Sequence, residues 1–351
     1  MSRHIVDVTT AVLIVTSVAC SRTDSPVAVK PRIADQSTAA YVLPPIAPGV
    51  HVGIANGLDG AVPLAINDFG EVVGYDDGSF FNDAFKWQGS RGLTLFTGSS
   101  AALAVNNRGQ VVVINVGNGG QVGIWDWYGH LRPLRRLSDY TVNPADPPSC
   151  RGLGINDNGV VVGACTIDPT KTTLATVWTA FGTPDALFTG GAGTAIKGFA
   201  SAVSNTGIVV GTDSARQSAF VFTGEGHVRY LSHTGGSTGV AVNDSGWVAG
   251  SADDSAAVWI HGDSLVKIPG LQPGYTAAAV GVSNSGEVIG NGTCQFIWTR
   301  AHGTQCLPGL EGPSVRESAE VFAINNHHQI VGTIVTSTSQ LHTVIWTLPS
   351  N

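Results

Sequence analysis

Few residues in this 351-residue chain are typed and spaced for chemistry. His327 and His328 stand side by side, but neighbours on a turn point apart and no Cys, Asp or Glu flanks them at ligand spacing. Histidine also tolerates the left-handed backbone that a turn glycine adopts, so the pair reads as turn chemistry rather than a metal centre. Acidic residues recur in loops at Asp76, Asp77, Asp83, Asp168, Asp213, Asp253 and Asp254. Asp76-Asp77-Gly78-Ser79 with Asn82 and Asp83 gathers hard oxygens on one loop, a donor set that suits Ca2+, though not at EF-hand spacing. The alternative for these acids is turn formation and solubility. The chain has no Gly-x-Ser-x-Gly elbow, no phosphate-binding loop and no His-Glu-x-x-His. Carboxylate pairs for glycoside chemistry are defined by distance, which the fold sets. No catalytic residue can be named.

The five cysteines are the next reactive set. Cys150 and Cys165 are placed symmetrically about Asn156 and Gly159, so a hairpin folded on that turn sets them opposite or one place off. Cys294 and Cys306 flank a second turn near Arg300 to Gly303. Opposed residues of antiparallel strands lie within disulfide reach, which predicts the pairs 150–165 and 294–306. Cys20 stands apart. It ends an apolar run from Val8 to Ala19 that is too short to span a bilayer and follows a weakly positive start. Ser17-Val18-Ala19-Cys20 resembles the lipobox of bacterial lipoproteins, whose cysteine is acylated and becomes the new N-terminus. Lipidation of Cys20 leaves an even set of four cysteines. Plain cleavage after Ala19 is the alternative, since Ser17 and Ala19 also suit a small-residue site. Residues 1–19 are thus expected to be a signal peptide, and residues 20–40 the lipidated cysteine with a polar, Pro-containing tether. Such a tether spans roughly 25 Å.

The elements that must position any site repeat seven times. Ala65-Ile66-Asn67-Asp68-Phe69-Gly70 followed by Glu71-Val72-Val73-Gly74 is the first copy. Later copies centre on Asn106-Asn107-Arg108-Gly109, Asn156-Asp157-Asn158-Gly159, Ser204-Asn205-Thr206-Gly207, Asn243-Asp244-Ser245-Gly246, Ser283-Asn284-Ser285-Gly286 and Asn325-Asn326-His327-His328. From turn to turn the steps are 39, 50, 48, 39, 40 and 42 residues, the period of a four-stranded propeller blade. In each unit an apolar strand a leads into the Asx turn, where Asx side chains bond the local backbone and Gly accepts positive φ. Strand b follows as x-Val-Val-Gly. Strand c ends in an aromatic: Trp87, Trp125, Trp178, Phe222, Trp259, Trp298 or Trp346. Those rings are expected to pack between neighbouring blades. A short strand d completes the unit.

The last unit stops at Val344-Ile345-Trp346-Thr347 without a strand d, and Tyr41–Ile46 has the length and type to supply one. An N-terminal strand completing the final blade closes the ring and removes open edges. Residues 41–351 are therefore expected to form an all-β, closed seven-bladed β-propeller of four-stranded blades. The unit resembles that of the extracellular HAF-repeat family, with Ala65 to Gly74 and Ala84-Phe85-Lys86-Trp87 as the best match. The resemblance covers about residues 41–349 and implies an extracytoplasmic repeat protein with no established reaction. The chain departs from the family unit at Val113, Ser204, Ser283 and His328. The Asp-box of sialidases, which also marks blade turns, is not present.

Apolar residues are 43% of the chain and charged residues 12%, enough for a large core and too ordered a composition for general disorder. The formal charge of −7 is spread thinly, and Arg132, Arg135 and Arg136 form the one basic cluster, which excludes a nucleic-acid footprint. The longest connectors are Arg135–Cys150, with Arg135, Arg136, Asp139 and Tyr140, and Pro308–Glu320, with Glu311, Arg316 and Glu317. Both proposed disulfides brace the feet of these loops, and the two should face each other across the channel mouth. Tyr and Arg are common interface anchors, which makes this the sequence's candidate site; the alternative is a pair of long solvated loops. The first functional expectation is a surface-tethered binding module in the bacterial envelope, membrane-bound only through its lipid, with a protein or glycan partner. A polymer-acting hydrolase or lyase and a purely structural envelope component are the alternatives.

Overall fold

Each repeat is built on a locally bonded turn. In the first, Asn67 Oδ1 accepts the backbone N–H groups of Phe69 (3.0 Å) and Glu71 (2.9 Å), and Gly70 closes the turn at φ 71°. The hairpin so formed joins strand a (Ala61–Ile66) to strand b (Val72–Asp76), and strands c (Ala84–Gln88) and d (Gly92–Phe96) continue the antiparallel meander. Val72 and Val73 are both fully buried because a blade has a neighbour on each face. A continuous apolar pair is therefore required where a surface sheet would alternate.

The computed structural model describes residues 43–349 except 77–82, 116–120, 138–148, 168–171, 189–192, 225–226, 232, 263, 270–276 and 313–316. The expected signal segment, Cys20 and the expected tether lie outside the described residues. The described residues form seven four-stranded antiparallel sheets, a closed seven-bladed β-propeller. Blades 1 to 7 have as innermost strands Ala61–Ile66, Ala101–Val105, Ser149–Ile155, Gly198–Val203, Ser237–Val242, Ala278–Val282 and Ser318–Ile324.

Every innermost strand carries a bulge, between Pro63 and Ala65 in blade 1 and at the equivalent place in the others. The bulge turns a carbonyl onto strand b, which explains the glycine of x-Val-Val-Gly. A Cβ on Gly74 would overlap the Val62 carbonyl oxygen, and one on Gly250 that of Thr238. Blade 2 keeps its bulge with Val113 buried at this position, and nothing in the structure explains the exchange.

The strand-c aromatics lie between blades, as expected. Val112 and Ile124 of blade 2 pack with Val161 and Trp178 of blade 3 in one buried cluster. The indoles also bond backwards around the ring. Trp178 Nε1 donates to the Arg135 carbonyl (2.7 Å), Trp346 Nε1 to Pro308 (2.8 Å) and Trp87 Nε1 to Asn56 (3.1 Å). Each acceptor belongs to the outer strand of the preceding blade or the chain leaving it, so a buried ring keeps its polar atom satisfied while joining two blades.

Closure is made by the N-terminus, but not by the strand expected. His51–Asp59 is the outer strand of blade 7, with His51 opposite Thr347 and Ile54 opposite Val344. The chain before it is placed differently. Cys306 N donates to the Pro45 carbonyl and Ala47 N to the Cys306 carbonyl, both at 2.8 Å, so Pro45–Ala47 lies on blade 6. Tyr41 and Val42 lie outside the described residues. The physical reason is reach: Gly60 is a one-residue turn into strand a of blade 1, so the residues immediately before it are the ones delivered to the edge of blade 7.

Candidate binding face

Within a meander blade, a–b and c–d turns share one face, and b–c loops with d-to-a connectors share the other. The described sequence candidates, Arg135, Arg136 and Glu317, fall on the second, the loop face. Both disulfides form as expected. Cys150 is directly opposite Cys165, with Cα atoms 4.0 Å apart, whereas Cys294 reaches Cys306 over 5.8 Å from just before its strand, beside the Phe296–Cys306 pair. Arg135 is exposed, and its backbone is held by Trp178 and by the Gly182 carbonyl. Arg136 is half-buried and engaged. Asp139, Tyr140 and Arg316 lie outside the described residues. Glu317 is spent on its own connector: its two oxygens accept the N–H groups of Leu310 (2.9 Å) and Glu311 (3.0 Å).

Two of the loop acids, Asp213 and Asp253, are engaged in hydrogen bonds and ion pairs. Asp213 accepts Ala215 N (2.9 Å), Arg216 Nη1 (3.0 Å) and Tyr230 Oη (2.8 Å), and burial together with that bond pushes the Tyr230 phenol up to about 12. Asp253, in a left-handed turn with Asp254, is paired with Lys267 at 3.0 Å and bonded by Gly235 N and Thr234 Oγ1, which hold its carboxyl well below the usual carboxylate range. In the candidate Ca2+ loop, Asp76 N donates to the Asp83 carbonyl at 3.0 Å, while Asp77, Gly78, Ser79 and Asn82 lie outside the described residues, as does Asp168. His328 takes the left-handed turn position (φ 62°), and its Nδ1 meets Glu287 Oε1 at the turn of the preceding blade at 2.7 Å.

The turn face is built around a closed circuit that sequence reading missed. The second turn residue of each blade donates its N–H to the side-chain oxygen of the same residue in the next blade. Asp68 donates to Asn107, Asn107 to Asp157, Asp157 to Asn205, Asn205 to Asp244, Asp244 to Asn284, Asn284 to Asn326 and Asn326 back to Asp68, all within 2.7–2.9 Å. No two carboxylates are neighbours. Amide Nδ2 groups bridge them: Asn107 to Asp68 (2.9 Å) and Asp157 (3.1 Å), and Asn205 to Asp157 (3.0 Å). The circuit rims a cavity of about 170 Å³ at the channel mouth. Its side-chain oxygens accept the N–H groups of the neighbouring turns. Among the described residues no group of three His, Cys, Asp or Glu is placed to hold a metal ion.

Outside this rim the turn face carries aromatic rings in water. Trp127 (65% exposed), Tyr128 (69%) and Phe181 (91%) occupy the c–d turns of blades 2 and 3, and Phe69 (66%) the a–b turn of blade 1. The Trp127–Tyr128 turn is rigid: Asp126 Oδ1 accepts Tyr128 N (3.0 Å) and His130 N (2.8 Å), and the two rings stand 4.2 Å apart. Arg91 and Arg108 lie exposed on the neighbouring turns of blades 1 and 2. One signal was available in the sequence. Six of the eight tryptophans end a strand c, and only Trp127 and Trp247 fall outside the repeat.

No protein-family model matches the chain, and no curated protein matches it. Solved structures with a similar fold include virginiamycin B lyase from Staphylococcus aureus, with TM-score 0.54 and 12% identity over 84% of this chain and 98% of that one. Oligogalacturonate lyase from Vibrio parahaemolyticus gives TM-score 0.55 and 11% identity over 87% and 96%. YCF48 bound to a D1 peptide gives TM-score 0.52 and 12% identity over 90% and 100%. At these identities the likeness is one of fold.

Proposed function

We propose that this chain is an exported, envelope-tethered propeller of the HAF-repeat type that binds a partner rather than transforming one, and that the partner is held on the turn face of blades 1–3. The observation that carries this reading is the set of large aromatic side chains, Phe69, Trp127, Tyr128 and Phe181, displayed to solvent on adjacent blades of one face. Isolated exposed apolar residues need no explanation, but clustered ones mark interaction surfaces. Trp, Tyr and Arg are the residue types that anchor interfaces, and a turn already ordered by Asp126 has little entropy left to lose on binding. Two disulfides fit an oxidising compartment, and the apolar run ending at Cys20 supports export. The fold does not choose the function, since similar scaffolds include lyases and a peptide-bound protein. The test is a screen of immobilised envelope glycans and peptides with the purified chain and with Trp127→Ala/Tyr128→Ala. Ligands that retain the parent should lose the double variant by about tenfold or more. Equal retention of both, or turnover of a retained ligand, contradicts the reading.

An enzymatic reading has one observation in its favour. Glu320, on the innermost strand of blade 7, has its carboxyl pushed up to about 7 by burial, the range of a proton-transfer group. Turnover of an extracellular polymer that is lost in Glu320→Gln would establish it.

A further inference from the structure

Trp247, the second tryptophan outside the repeat, borders a cleft of about 450 Å³ on the turn face of blades 5–7, within the range of small-molecule sites. One side is apolar, made by Ala47 and Val50 of the N-terminal crossing, Ile297 of blade 6 and Leu348 near the C-terminus. The other side comes from the c–d turn of blade 6 and carries Arg300 and His302. Thr299 Oγ1 accepts His302 N at 3.1 Å, which orders that turn. The Arg300 guanidinium lies over the Trp247 ring, 5.2 Å from its centroid, and the His261 ring meets Trp247 edge-on. Stacking fixes the plane of the guanidinium and leaves its N–H fork directed elsewhere. Among the described residues no carboxylate pairs with Arg300. Glu287, the one acid lining the cleft, is committed: Ser283 Oγ (2.9 Å) and Ser285 Oγ (3.1 Å) bond its Oε2, and His328 bonds its Oε1.

We propose that this cleft binds an amphipathic monocarboxylate, with the carboxylate on the Arg300 fork and the apolar body against Ala47, Val50, Ile297 and Leu348. A planar carboxylate matches the guanidinium in two parallel hydrogen bonds. One fixed cation balances a single negative charge, and a second charge on the ligand would face Glu287, so a monoanion is preferred to a dianionic phosphate. The site is separate from the aromatic face of blades 1–3 and does not depend on it. Octanoate, octyl phosphate and octan-1-ol are the probes, titrated calorimetrically into the full chain and into Arg300→Gln. Arg300 is exposed, so the variant should keep the parent's thermal unfolding. Octanoate is expected to saturate one site, to bind more tightly than either other probe, and to weaken about tenfold or more in Arg300→Gln. Absence of saturation, tighter binding of octyl phosphate, equal binding of octanol, or unchanged affinity in the variant overturns the proposal.

Discussion

At the scale of single residues, the turns show what each exception to the repeat does. Asn67, Asn106, Asn156, Asn243 and Asn325 each donate Nδ2 to a carbonyl of the next blade, forming a second belt inside the first. Ser204 and Ser283 have no amide to donate, and the belt is interrupted there. Ser283→Asn should restore the link to the Asn325 carbonyl and still reach Glu287, as Asn67 reaches Glu71 at 2.7 Å. A gain of about 1 kcal/mol in denaturant unfolding is expected, and a loss would show that the serine is required. Glu320 gives a pH signature. Its folded carboxyl titrates at about 7 against an ordinary value of 4.5, so the folded state keeps a proton that the unfolded chain releases between those values. Its contribution to stability therefore falls as pH rises through that window and stays low above it. Glu320→Gln should melt higher than the parent near pH 8 and alike near pH 4, and identical pH profiles would contradict the assignment.

At the scale of elements, what occurs seven times was legible and what occurs once was not. The Asx turn, the x-Val-Val run and the strand-c aromatic announced four-stranded blades because each copy supports the others. The cysteine pairs followed from hairpin symmetry. The closing strand has no second copy. Its register with Leu341–Thr347 is broken between Ile54 and Asp59, where Gly57 takes φ 88° and Ala55 and Leu58 are buried against blade 1. Tyr41–Ile46 has the better strand composition but the wrong distance from the first blade. A chain begun at His51 should keep the parent's elution. One begun at Gly60 should expose the edge of Leu341–Thr347 and aggregate, and parent-like melting and elution of that shorter chain would refute closure by His51–Asp59.

At the scale of the whole molecule, the two faces of the ring divide the work. The loop face holds the disulfide-braced connectors and the bonded acids Asp213, Asp253 and Glu317. The turn face holds the Asx circuit, the exposed aromatics and the Trp247 cleft. Composition could not reveal this, because residue type does not say whether a ring points into the core or into water. Removing the strand-c tryptophans from the count leaves the two that the architecture does not need, and both lie on the turn face. The proposed partner site lies on this face, at blades 1–3. Hydroxyl-radical footprinting of the purified chain, alone and with a solubilised bacterial cell-envelope fraction, reads it directly. Phe69, Trp127, Tyr128 and Phe181, the most exposed large aromatic side chains among the described residues, are expected to become protected together. Unchanged oxidation at those four rings, with protection confined to the connectors near Arg135 and Glu317, would contradict it.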